Sequence, residues 1–186
     1  MRSGKNAKKK QRTVQQNFFD DLGIKRNSLC HGGELTVGKR KTRRPLDRRK
    51  PIHLVLRSSR ATGQLSFLHA KNKIVVEKII KKQAAKFGVK IAKAANVGNH
   101  IHLLLRFSHR KSFQSFLISV SGMIARFVTK ARKGIKFGRF WDTLAFTRVI
   151  TSSFVYLTIY EYVVANQIEG RCGRTARKNY LKLLSG

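Results

Sequence analysis

His100 and His102 are the residues of this sequence whose type and spacing best suit a metal ion. They lie in NHIHLLLRF at 99–107, a short apolar run of strand type. Side chains two apart on a strand share a face, so both imidazoles can point one way while Ile101 points the other. Two neutral imidazoles can hold one divalent ion, with carboxylate, amide, water or phosphate oxygens completing its shell. An imidazole pair inside so apolar a run needs a reason, because burying polar groups is costly. The competing interpretation is a surface pair beside basic groups.

A second constellation lies in IYEYVVANQIEG at 159–170. Tyr162 and Asn166 are four apart and so share a helical face. Tyr162 offers a phenolic oxygen and Asn166 an amide oxygen; Gln167 is one place further round. Tyr156 and Tyr160 are alternative reactive tyrosines. All three rings also suit plain amphipathic packing.

These groups need a scaffold. The pattern predicts strands at about 51–59, 89–96, 99–107 and 144–150 and helices at about 71–87, 111–131 and 154–168. Val76, Ile79, Ile80 and Phe87 give the first helix an apolar face, and Gly88 ends it. Phe113, Phe116, Leu117, Val120, Ile124, Phe127 and Val128 form the stripe of the second. Ser152 or Ser153 caps the third, and Gly170 stops it. The order strand–helix–strand–strand–helix–strand–helix predicts an α+β fold. It has a ferredoxin-like antiparallel sheet with helices on one face and an additional C-terminal catalytic helix. Its first and third strands should be neighbours. Residues 1–49 read as a basic N-terminal arm, 50–170 as the catalytic domain and 171–186 as a basic C-terminal tail.

Charge names the partner class. There are 41 Lys and Arg against 8 Asp and Glu, a formal +33. Such self-repulsion is relieved by polyanions, and phosphate backbones release counterions to basic groups. Nucleic acid is therefore the expected partner. Arg57, Arg60, Arg106, Arg110 and Arg148 are candidate phosphate contacts, and Phe107 and Trp141 candidate base-stacking rings. His53 lies in the first strand in a register the sequence leaves open. Cys30 and Cys172 form neither a metal cluster nor a disulfide framework, which suits a reducing compartment. No signal-type or membrane-spanning apolar stretch is evident, so a cytoplasmic, nucleoid-associated protein is expected.

The chain resembles the IS200-like, REP-associated single-tyrosine transposase superfamily. The resemblance rests on RKPIHLVLRSSR at 49–60, NHIHLLL at 99–105, KFGRFWDTLAFTRVI at 136–150 and YVVANQ at 162–167. It implies that His100 and His102 are paired metal ligands and Tyr162 the nucleophile, with Asn166, or Gln167 beside it, a further ligand where relatives can carry Gln. Asn99 stands where the family often has Asp, and Asp142, Thr143 and Leu144 depart from its commoner pattern. The resemblance further implies Mg2+ as cofactor, with Mn2+ as substitute. The implied reaction is metal-dependent nicking and joining of single-stranded, hairpin-containing DNA through a 5′-phosphotyrosine link, in a monomer or a homodimer. The alternative is a single-stranded nucleic-acid-binding protein without catalysis, or an inactive transposase relative.

Overall fold

The computed structural model describes residues 29–40, 42–134 and 137–185. The strands are β1 (Cys30–His31), β2 (Ile52–Arg57), β3 (Val89–Asn96), β4 (His100–Phe107) and β5 (Phe146–Val149). The helices are α1 (Ala70–Lys86), α2 (Arg110–Thr129), α3 (Ser153–Cys172) and α4 (Arg174–Ser185). All five strands form one sheet in the order β1-β5-β2-β4-β3, every pairing antiparallel. Without β1 this is the expected ferredoxin-like order, with the first and third predicted strands, β2 and β4, side by side.

β2 and β4 read as continuous apolar runs because both their faces are covered. Ile52, Leu54 and Leu56 pair with Leu105, Leu103 and Ile101 and turn to one side. There they meet Val76, Ile79 and Ile80 of α1 and Phe113, Phe116, Val120 and Ile124 of α2 in the main core. The alternate residues face α3, where Leu104 and Ala95 join Ile150, Ile159, Tyr162 and Val163 in a smaller cluster. The sheet is thus the middle of three layers.

The local signals explain the element ends. Gly88, at φ 62, follows α1, and the Ser152 side chain accepts from Val155 N at 3.3 Å to cap α3. Gly170 does not stop α3, which runs on to Cys172. A Cβ at Gly170 would lie 2.0 Å from Asn96 O, so this glycine lets the helix approach the end of β3. The break comes at Gly173, φ 89, and the stretch expected to be a tail continues as α4. α4 runs back along α3, tied by Tyr180 Oη donating to Glu161 and by Arg177 Nη1 to Glu169 Oε2 at 2.9 Å.

The basic run KNAKKKQR at 5–12 lies outside the described residues. Within the same expected arm, Cys30 and His31 pair with Arg148 and Thr147 to form the sheet edge. Arg44 donates to Ala145 O at 2.7 Å and Thr147 Oγ1 at 2.6 Å. Among the described residues, no helix is long and apolar enough to cross a membrane.

Candidate active site

The two-residue alternation of β4 turns His100, His102 and Leu104 toward α3. The His100 and His102 rings are 4.8 Å apart between centroids and nearly perpendicular, at 77°. His102 is fully buried and His100 partly so.

β2 contributes a third imidazole. Its register sets His53 opposite Leu104 and Val55 opposite His102, so His53 lies on the same face. His53 Nε2 is 3.1 Å from His102 Nδ1, and the rings stack at 5.3 Å with 10° between their planes. On its other side His53 faces Arg148 of β5.

Burial holds these imidazoles neutral. Desolvation, aided by the Arg148 charge, lowers the His53 pKa to about 3. Desolvation, with Arg57 adding repulsion, lowers His100 to about 4, while a hydrogen bond with Asn166 opposes the shift. Desolvation also takes His102 well below the ordinary histidine value.

The tautomers then follow from the partners. His100 Nδ1 is 2.6 Å from Asn99 Oδ1, and an amide oxygen only accepts, so Nδ1 carries the proton and Nε2 the lone pair. His102 Nε2 is buried without a hydrogen-bond partner among the described residues. If His102 Nδ1–H donates to His53, that Nε2 also presents a lone pair. This is the usual state of a ligating histidine, whose other N–H is held by an outer partner.

α3 lays Tyr162 over His102 and His53. Its ring meets His102 edge-on at 5.5 Å and His53 at 6.1 Å, and the residue is 3% exposed. Asn166 Nδ2 donates to the Tyr162 backbone oxygen at 2.7 Å, and the Asn166 side chain also contacts His100 and the Tyr162 phenol. Burial raises the Tyr162 pKa, while Arg177 and Asn166 pull it down in part. Arg177, from α4, sets its guanidinium carbon 5.7 Å from the centre of the Tyr162 ring.

The structure therefore gathers His100, His102, Tyr162 and Asn166, four residues singled out in the sequence. Tyr156 and Tyr160 stack instead on each other, with Lys93 over the Tyr160 ring. Of the arginines, Arg57 pairs across the sheet with His100, and Arg148 with His53. Arg60 stands near the end of β2 over Phe137. Arg106 and Arg110 lie toward the far end of β4, where Arg110 Nη2 donates to Arg44 O at 2.6 Å. Phe107 is no base platform, because it is buried on the α1–α2 side against Phe113. Trp141 likewise packs on Phe67 and Phe140 and donates to Ser121 O at 3.1 Å.

Sequence reasoning did not assign His53, Arg177 or Glu169 a place in this cluster. For His53 the signal was the one that marked His102, a histidine inside an apolar strand. For Arg177 it was the helical spacing of Arg177, Tyr180, Leu181 and Leu184. Among the described residues, no group of three His, Cys, Asp or Glu side chains is arranged to hold a metal ion. The pair of imidazoles would need oxygens from elsewhere.

A family profile described as "Transposase IS200 like" matches residues 50–179. Among curated proteins, none matches the chain. Two solved structures are similar to it. One, from Deinococcus radiodurans R1 and described as a candidate transposase, is 18% identical over 69% of this chain and 97% of that one, with a TM-score of 0.41. The other, a REP-associated tyrosine transposase bound to a REP hairpin, is 13% identical over 73% of this chain and 76% of that one, with a TM-score of 0.49.

Proposed function

We infer the function from one premise: this chain belongs to the IS200-like transposase family. We propose that it nicks and rejoins single-stranded DNA in a metal-dependent reaction, with Tyr162 as the nucleophile. The observation that carries this reading is one buried cluster in which Tyr162 packs edge-on against His102 while Asn166 contacts both His100 and the phenol.

The donor set fits a divalent cation. His100 and His102 are held neutral, and His102 Nε2 has no protein partner among the described residues. His100 and His102 would hold the ion through Nε2. Asn166 turns its Nδ2 to the backbone, which leaves Oδ1 as a third ligand on the His100 side. Mg2+ is the proposed cofactor, with Mn2+ as substitute. Such an ion supplies Lewis acidity at a phosphoryl oxygen when bound.

The chain's own groups do the rest. Tyr162 oxygen attacks phosphorus, a bond to phosphorus forms, and the bond to the 3′-oxygen breaks. The phenol loses its proton and the departing 3′-oxygen gains one. The products are a 5′-phosphotyrosine link and a free 3′-hydroxyl. In the reverse direction a 3′-hydroxyl attacks the link and the tyrosine leaves, so rejoining needs no nucleotide cofactor. Desolvation disfavours a free phenolate, so the site must provide compensating positive charge. His100 is the partly exposed member of the histidine pair, and Arg57, its half-exposed cross-strand neighbour, is placed to guide a phosphate there.

The test is a denaturing-gel assay with labelled, hairpin-bearing single strands across Mg2+ and Mn2+ concentrations, followed by peptide mapping of the adduct. The expected result is a covalent adduct on Tyr162 that Tyr162→Phe abolishes while DNA binding persists. The near-complete burial of Tyr162 and His102 also suits a second reading, a binding protein that does not cut. Tight DNA binding with no adduct under any metal condition would select that reading and end the first.

A further inference from the structure

Arg177 belongs to the stretch that reads as a solvated basic tail, yet its side chain is only 15% exposed. It reaches Tyr162 from α4, with its guanidinium over the ring and in hydrogen-bonding contact with the phenol. Glu169 grips it, Nη1 to Oε2 at 2.9 Å. Glu169 follows Tyr162 by seven residues, two helical turns, so nucleophile and carboxylate lie on one stripe of α3. The Arg177 Nε is buried and has no hydrogen-bond partner among the described residues. A buried donor left idle is costly unless something arrives to use it. A purely structural strap between the helices is already present in Tyr180 and Glu161.

We propose that Arg177 is a further catalytic residue, which donates to the Tyr162 oxygen and offsets the negative charge that gathers there during cleavage and rejoining. The proposal rests on the reading of Tyr162 as nucleophile. In cleavage the phenol gives up its proton as its oxygen bonds to phosphorus, and the departing 3′-oxygen takes one up. In rejoining the 3′-hydroxyl gives up its proton as its oxygen bonds to phosphorus, and the tyrosine oxygen leaves as a phenolate facing the guanidinium before it takes a proton back. The same contact serves both directions because the same oxygen–phosphorus bond forms and breaks. Glu169 is a positioning residue that holds the guanidinium fork toward the phenol. A preorganised donor aimed at developing charge acts strongly in a water-poor site.

The test uses the full chain with Mg2+ or Mn2+ and a labelled hairpin-bearing single strand. It measures single-turnover adduct formation, rejoining, DNA binding by anisotropy, and thermal melting. Arg177→Ala should slow adduct formation and rejoining alike, by about 100-fold, with DNA affinity little changed and a lower melting temperature from the lost Glu169 pair. Guanidinium ion at a non-denaturing concentration should restore part of that rate. Replacing Tyr162 with difluorotyrosine, whose phenolate is more stable, should help the Arg177→Ala protein more than the unmodified one. Arg177→Lys should give an intermediate rate that the fluorinated ring also raises. This variant decides the matter if Arg177→Ala does not fold.

An adduct on Tyr162 formed at the unmodified rate by Arg177→Ala would overturn the role of Arg177 and leave Tyr162 standing. A slow variant that neither guanidinium nor the fluorinated ring improves would make Arg177 a helix clamp, and would also overturn the proposal. An adduct mapped to another residue would remove the reading of Tyr162 and this inference together.

Discussion

The two faces of the sheet are built on opposite rules. Against α1 and α2 the strands present Leu54, Leu56, Ile101, Leu103 and Leu105, and the layer between is closed by aromatic and aliphatic side chains. Against α3 they present His53, His102 and Arg148, and α3 answers with Tyr162 and Asn166, all buried. Apolar filling is the less costly way to bury a sheet face, and replacing buried polar groups by apolar ones of similar shape is often neutral or stabilising. The first face therefore holds the fold together, whereas the second keeps groups that a fold alone would not need.

Leu103 and His102 are sequence neighbours in β4, both fully buried, on opposite faces. They are the sharpest probe of the contrast. Leu103→Ala should lower the unfolding free energy by about 2–5 kcal/mol, read from urea titration, with cleavage by the remaining folded protein intact. A loss well under 1 kcal/mol would mean that the first face is not the structural one. His102→Leu should do the reverse. Metal-dependent adduct formation should fall at least about 10- to 100-fold, while the unfolding free energy falls by no more than about 1–3 kcal/mol, the cost of the lost hydrogen bond to His53. A severe drop in stability from His102→Leu would show the imidazole to be a core residue and erase the contrast.

Acid should separate the faces as well. The free-chain histidine value is 6.5, and the folded values are about 3 for His53 and about 4 for His100, burial being the first cause of each. As pH falls from 6.5 toward 4, the unfolded chain binds protons that the folded chain refuses. Stability from these groups is thus full above the unfolded value and declines as pH falls toward the folded values. Chelator-treated protein should melt at a lower temperature near about pH 5 than near about pH 7. His102→Leu should reduce that slope. A melting temperature independent of pH over this range would contradict neutral, buried imidazoles.

What the sequence disclosed followed the range of the signal. The apolar stripes of α1 and α2 and the runs of β2 and β4 obey local periods, so the layers were legible. His100 with His102, and Tyr162 with Asn166, are spaced by two and by four, and each pair shares a face for that local reason. The contact of His53 with His102 depends on the β2–β4 register, which no local spacing fixes. Arg177 depends on α4 folding back along α3, and the helical spacing of Arg177, Tyr180, Leu181 and Leu184 marks a face without saying what it packs against. Gly170 was misread because a glycine near a helix end signals a stop. Here its missing side chain serves close packing against Asn96.

The smallest expected effect concerns the edge between the buried cluster and solvent. Arg57 has a side chain 54% exposed and stands 3.7 Å from Asp142. Asp142 also accepts from Ser59 N at 2.7 Å and Ser59 Oγ at 2.8 Å, so it keeps partners when the arginine is removed. An exposed pair of this kind contributes about 0–1 kcal/mol to stability, and Arg57→Ala should barely move the melting temperature. On the proposed function its effect should fall on DNA binding. Losing one phosphate contact should weaken binding to all single strands alike and reduce the dependence of log affinity on log salt by about 0.7. Arg106→Ala, on the same strand face but away from the histidines, serves as the control. Equal salt slopes for unmodified protein and Arg57→Ala, with a change for Arg106→Ala, would move the DNA path toward the other end of β4. A change confined to Arg57 places the phosphates beside His100, where the polar face of the sheet opens.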